Sequence, residues 1–202
     1  MKRSSEILVI GLIYLILYKI LFAFFPNLND VPFIYIVRIL SILATSSILI
    51  WIIAFLRRYK PKNKNLKFIL IAILTCTSII ILIRITNLTM SEYAGTKKLI
   101  FGVFSKLNAL LILLFLWLSM KKINTGSSKL LTALKAGFWA MLITICIYII
   151  IAIVNPFIFK TLEHYPSNVF QYIYILLYIF TSSILTWFII EFKKESEDLS
   201  FT

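Results

Sequence analysis

The stretch Arg57-Arg58-Tyr59-Lys60-Pro61-Lys62-Asn63-Lys64-Asn65-Leu66-Lys67 decides how this chain is organised. It holds six of the 21 basic residues and separates two apolar runs, each long enough to cross a bilayer. Short loops rich in Lys and Arg are retained on the cytoplasmic side of a membrane. The stretch therefore reads as a cytoplasmic loop that orients everything around it.

Working outward, the run before it covers 33–56 and the run after it 68–86. The first ends at Trp51 and the Arg57-Arg58 pair, the pattern of an interfacial aromatic anchor followed by cytoplasmic charge. Towards the N-terminus, Met1-Lys2-Arg3 precedes an apolar run over 7–25. That run is too long for a signal peptide and ends in Phe24-Phe25-Pro26 without a small-residue cleavage site, so it reads as an uncleaved first helix. Towards the C-terminus, further runs cover 99–120, 130–153 and 169–190. The first of these ends in Trp117 and Lys121-Lys122, the second is closed by Asn155-Pro156, and the third ends in Trp187 and Lys193-Lys194. The acidic tail from Glu195 reads as frayed.

The expected fold class is all-α: a polytopic integral membrane protein, a single domain over 1–202, with six transmembrane helices. Lys2, Arg3, the 57–67 stretch, Lys121, Lys122, Lys129, Lys193 and Lys194 fall on one side, so both termini are expected in the cytoplasm. Composition agrees: 61% of the 202 residues are hydrophobic against about 45–50% in soluble domains, and the mean hydropathy is +0.97. Continuous apolar runs exclude a β-barrel, whose strands alternate. The net charge of +13 sits in short loops, which points to anionic lipid headgroups at the cytoplasmic face rather than nucleic acid. Richness in Ile, Phe, Lys and Asn suggests a bacterial source, and hence the cell (inner) membrane.

Smaller signals concern packing. Ala133, Ala136, Gly137 and Ala140 form overlapping small-xxx-small pairs, which let helices approach closely within the bundle or in a second copy or membrane-protein partner. Thr45-Ser46-Ser47-Ile48-Leu49-Ile50-Trp51 is echoed by Thr181-Ser182-Ser183-Ile184-Leu185-Thr186-Trp187. A repeat of helical hairpins would produce such an echo; so would coincidence within the narrow alphabet of membrane helices, which is the expectation. Cys76 and Cys146 have no metal-ligand spacing and read as small buried hydrophobes, so no metal or cofactor is expected.

The unusual feature is charge inside the runs. Lys19, Arg38, Arg84 and Lys106 all fall in the outer half of the membrane, with no acid at similar depth. A cation near the bilayer centre costs about 2.5–3.5 kcal/mol on insertion scales. Either each side chain snorkels separately to the headgroups, or they line an outward-facing cavity for a carboxylate, phosphate or lipid head, with Tyr18, Tyr35, Asn87, Asn108 and Gln171 as neutral partners. Catalytic constellations are missing: no paired carboxylates, no HExxH, no phosphate loop, no GxSxG, and His164 stands alone. The expectation is a non-enzymatic membrane protein of structural or accessory type, with anion or lipid binding as the alternative.

Overall fold

The computed structural model describes residues 1–24, 33–61, 63–89, 95–124, 127–161, 168–196 and 199–201. Six helices account for nearly all of them: α1 (Lys2–Phe24), α2 (Phe33–Tyr59), α3 (Lys64–Thr89), α4 (Gly95–Lys122), α5 (Ser128–Thr161) and α6 (Asn168–Glu195). The class is all-α, apart from one two-residue pairing. At 1.5 Å per residue, the 23 residues of α1 span about 35 Å, enough for a hydrocarbon layer about 30 Å thick.

Among the described residues, five helices, α2 to α6, are long and apolar enough to cross a membrane. Over the expected first span α1 is also helical, as far as Phe24. The outward surface is hydrocarbon: Ile10, Leu43, Phe68, Leu82, Leu99 and Leu176 are all strongly exposed, which suits lipid and not water.

Two boundaries differ from the sequence reading. The basic stretch is mostly helix, not loop: Arg57–Tyr59 finish α2 and Lys64–Lys67 begin α3. Lys60 takes the left-handed conformation (φ 41°), its N–H bonds to Leu56 O, and Pro61 cannot continue a helix. Asn63 then caps α3, its Oδ1 accepting from the Leu66 N–H at 3.0 Å. Helices extend past their apolar runs because Arg and Lys in the last turn complement the helix dipole; Lys121-Lys122 and Lys193-Lys194 do the same for α4 and α6. The second difference is α5, which runs on through Asn155-Pro156 to Thr161.

Each helix packs on the next in sequence, and α6 returns to α1, closing a ring. At the end that carries the termini the ring is filled by aromatic rings. Phe55 is fully buried and lies 5.3 Å from Trp51, 4.9 Å from Tyr59 and 5.8 Å from both Phe115 and Phe192. Trp51 is therefore an interior residue rather than an interfacial anchor, and its indole N–H reaches Ser5 Oγ at 3.2 Å. An apolar cavity of about 100 Å³ lies beside this plug, walled by residues such as Leu12, Ile48, Ile73 and Phe188.

The tail is not frayed over its described residues. Ser200–Phe201 (β2) pairs antiparallel with Ile123–Asn124 (β1), joining Ile123 to Phe201 and Asn124 to Ser200. Leu199 is buried, the Tyr59 hydroxyl donates to Ser196 O at 2.7 Å, and Lys193 meets Glu6 at 2.6 Å. The Glu6 carboxyl is held below its ordinary range by that lysine.

Packing elsewhere follows the small residues. Ala133, Gly137 and Ala140 are buried, and a Cβ on Gly137 would stand 3.6 Å from Leu185 and 3.8 Å from Leu116. That stripe therefore seats α4 and α6, while Ala136 is half-buried. The two echo segments have different surroundings: Trp51 is interior and Trp187 is 39% exposed. Cys76 is buried, but Cys146 is exposed, against expectation.

Candidate functional site

Beyond the aromatic plug the interior changes character. Ser41, Thr45, Thr77, Asn108, Thr144, Thr181 and Ser182 are buried at mid-depth. Polar groups removed from water need partners, and here they find them across helix seams. Thr77 donates to Asn108 Oδ1 at 3.4 Å, linking α3 to α4. Thr144 and Thr181 hydroxyls lie 2.6 Å apart, linking α5 to α6. The Tyr14 hydroxyl donates to Val37 O at 3.2 Å, linking α1 to α2.

Arg84 is the centre of this polar layer. From α3 it reaches α2, donating to Ser41 O at 3.1 Å, to Thr45 Oγ1 at 2.9 Å and to Ser41 Oγ. Its guanidinium also lies 5.7 Å from the Phe101 ring centroid on α4. Arg84 thus takes up the Ser41–Thr45 stripe of α2. Arg38 is half-buried on the same α2 face as Ser41, about 4.5 Å further along the axis.

Lys19 approaches the same place from α1. Its ammonium sits 5.5 Å from the Tyr178 ring centroid on α6, a cation–π distance, and it is close enough to Arg84 for the two charges to repel. Tyr178 lies within electrostatic reach of Arg84, Tyr18 and Tyr148. Tyr14 and Tyr18 stack one turn apart at 6.4 Å. Lys19 of α1 thus stands against one tyrosine of α6, with Arg84 of α3 within electrostatic reach of both.

Lys106 is not part of this cluster. It is exposed and lines a groove of about 530 Å³ between α4 and α5, with Tyr174 of α6 at one side. Tyr148 is common to both places: it walls the groove and lies within electrostatic reach of Tyr178. Of the neutral partners expected from sequence, Tyr18 is in the cluster, Asn108 is occupied by Thr77, and Tyr35 is exposed. The side chains of Asn87 and Gln171, and all of His164, lie outside the described residues.

Sequence reading missed Tyr178, Tyr148 and Tyr174. The available signal was spacing: Tyr174 and Tyr178, like Tyr14 and Tyr18, sit four apart and share a helix face. An arginine fork, a lysine point charge and phenol hydroxyls form a donor-rich set suited to a carboxylate or phosphate. Among the described residues the carboxylates Glu6, Glu191 and Glu195 all lie at the opposite end of the bundle, and no His, Cys, Asp and Glu group could hold a metal ion. The chain matches no protein-family model, no curated protein and no solved structure.

Proposed function

We propose that this is a six-span protein of the cell membrane, with both termini cytoplasmic, that binds an anionic carboxylate or phosphate group at Lys19, Arg84 and Tyr178. The observation that carries the reading is the meeting of Lys19 and Arg84, from non-adjacent helices, in a tyrosine-lined polar layer closed on the cytoplasmic side by an aromatic plug. Like charges brought together in a low-dielectric region are stabilised by an anion between them. Arg38, one turn away, would add to the attraction for an incoming anion. The basic residues at the α2–α3 connection would rest on anionic lipid headgroups. No catalytic role is proposed.

The test uses the purified chain in neutral detergent. Inorganic phosphate is titrated by calorimetry, and phosphatidylglycerol retention is compared with phosphatidylcholine by native mass spectrometry. Removing one charge-assisted hydrogen bond costs about 1.5–3 kcal/mol, so Lys19→Gln is expected to weaken binding about 10- to 100-fold, with Lys19→Arg retaining most of it. Phosphate binding without lipid selectivity would identify a soluble anion, and the reverse a lipid head. Binding of both probes unaltered by Lys19→Gln and Arg84→Gln would overturn the site.

A second reading has its own observation. Arg84 is hydrogen-bonded to α2, so it also ties α2 to α3, as a structural or accessory membrane protein would need. That reading stands if neither anion binds.

Orientation is tested separately. Lys64→Cys, exposed and clear of the Asn63 cap, is expected to resist an impermeant maleimide in intact cells and to react after permeabilisation. Labelling in intact cells would reverse the topology.

A further inference from the structure

We propose that the groove between α4 and α5 seats the acyl chain of a single-chain anionic amphiphile, with its head at Lys106. The inference goes beyond the Lys19–Arg84 site and does not depend on it. Its walls are apolar at half-buried Ala109 and Ile145, and Leu110, Ile149 and Ala152 are exposed to the hydrocarbon side. A volume of about 530 Å³ equals that of about 18 water-sized groups, the scale of one long chain. Small side chains open the space: Ala109 and Ala152 face it, and Gly102, one turn from Ser105 and Lys106, has nothing within 4 Å of where a Cβ would stand.

The groove cannot be dry and empty in a bilayer, because unfilled space forfeits dispersion contacts on every wall. What selects the occupant is charge. Lys106 lies about 10 Å along α4 from Leu99, has no hydrogen-bond or ion-pair partner among the described residues, and is the one charged side chain among the described residues that line the groove. A carboxylate at that depth satisfies it, whereas a neutral chain leaves it unpaired in a poor solvent for ions. Tyr148 and Tyr174, with ring centroids 4.9 Å apart, offer aromatic faces to the chain and hydroxyls to the head.

The experiment uses the full chain in neutral detergent with a diazirine-bearing palmitate, and mass spectrometry to map the label. Label is expected on residues 105–110 and 145–152. Ala109→Trp, which fills the groove, is expected to lower it at least tenfold. Ala152→Trp does so from the other wall, should the first variant fail to fold. Lys106→Gln is expected to lower palmitate labelling several-fold without changing that of a diazirine hexadecanol, and Lys19→Gln to change neither. Label that persists in both tryptophan variants, or spreads to Ile10 and Phe68, overturns the groove. Label lost in Lys19→Gln but not Lys106→Gln overturns the assignment of the head to Lys106 while leaving the Lys19–Arg84 reading intact. Phosphate binding abolished by neither cluster variant, with the palmitate pattern as expected, leaves the groove standing and removes the other site.

Discussion

Phe55→Ala is expected to cost about 3 kcal/mol, measured as the change in unfolding free energy on titrating a denaturing detergent into mild micelles. The figure lies at the low end for truncating a buried Phe in a water-soluble core, for a specific reason. In lipid, moving an apolar ring from protein to solvent gains little, since both are hydrocarbon. What remains is the cavity left behind and the loss of four ring contacts, with aromatic pairs worth about 0.5–1.5 kcal/mol each beyond area. Phe55 is 0% exposed and touches Trp51, Tyr59, Phe115 and Phe192, so no lipid tail can flow in to replace it. Phe55→Leu, which keeps most of the volume, is expected to cost less than half as much. Equal unfolding curves for wild type and Phe55→Ala would mean that the aromatic plug is not packed as described.

Gly11→Leu is the second large effect, and it acts by excess rather than by loss. A Cβ on Gly11 would meet Ser47 Oγ and stand 3.0 Å from Ala44 O. The serine can rotate, but the carbonyl belongs to the α2 backbone and moves only with the helix. Overpacking costs about 1–3 kcal/mol and occasionally more; Gly11→Ala is expected near the bottom of that range and Gly11→Leu at or above the top. Gly102→Ala is the control, because that Cβ enters open space; no destabilisation is expected. The readout is thermal denaturation in micelles, together with disulfide trapping between cysteines placed on α1 and α2. A Gly11→Leu protein that melts and cross-links like wild type would show that the two helices are not in backbone contact there.

Apolar runs and flanking basic pairs made the helices legible in the sequence, because lipid demands both. Neighbour relations were not, and the reason is physical. A water-soluble helix announces its buried face by where its polar residues are absent; here both faces are hydrocarbon, so Phe55 and Phe68 read alike although one is interior and the other faces lipid. Lys19 and Arg84 stood out as charges in apolar runs. Their approach to Tyr178 did not, since the pattern along one helix carries no information about which side chains meet across a seam. Helical spacing puts Arg38 on one stripe with Ser41 and Thr45, but spacing sees contacts along one helix and not the longer reach of Arg84 from the next. The tail escaped because Leu199 follows a run of acids, and nothing local signals that Ser200 and Phe201 pair with residues 76 and 78 positions earlier on the α4–α5 connection.

The return of α6 to α1 has a bearing on the order in which the bundle is assembled. Consecutive helices are held by connections of a few residues, four in the case of Lys60–Asn63, so each antiparallel pair forms with little chain entropy lost. The seam between α1 and α6 joins helices separated by most of the chain, and loop entropy rises, if slowly, with that separation. It is also the seam that brings Lys19 against Tyr178. The cluster is therefore completed by the closure that is entropically the most demanding, and five helices assembled without α1 would form an open curved sheet of helices carrying Arg84 but not Lys19.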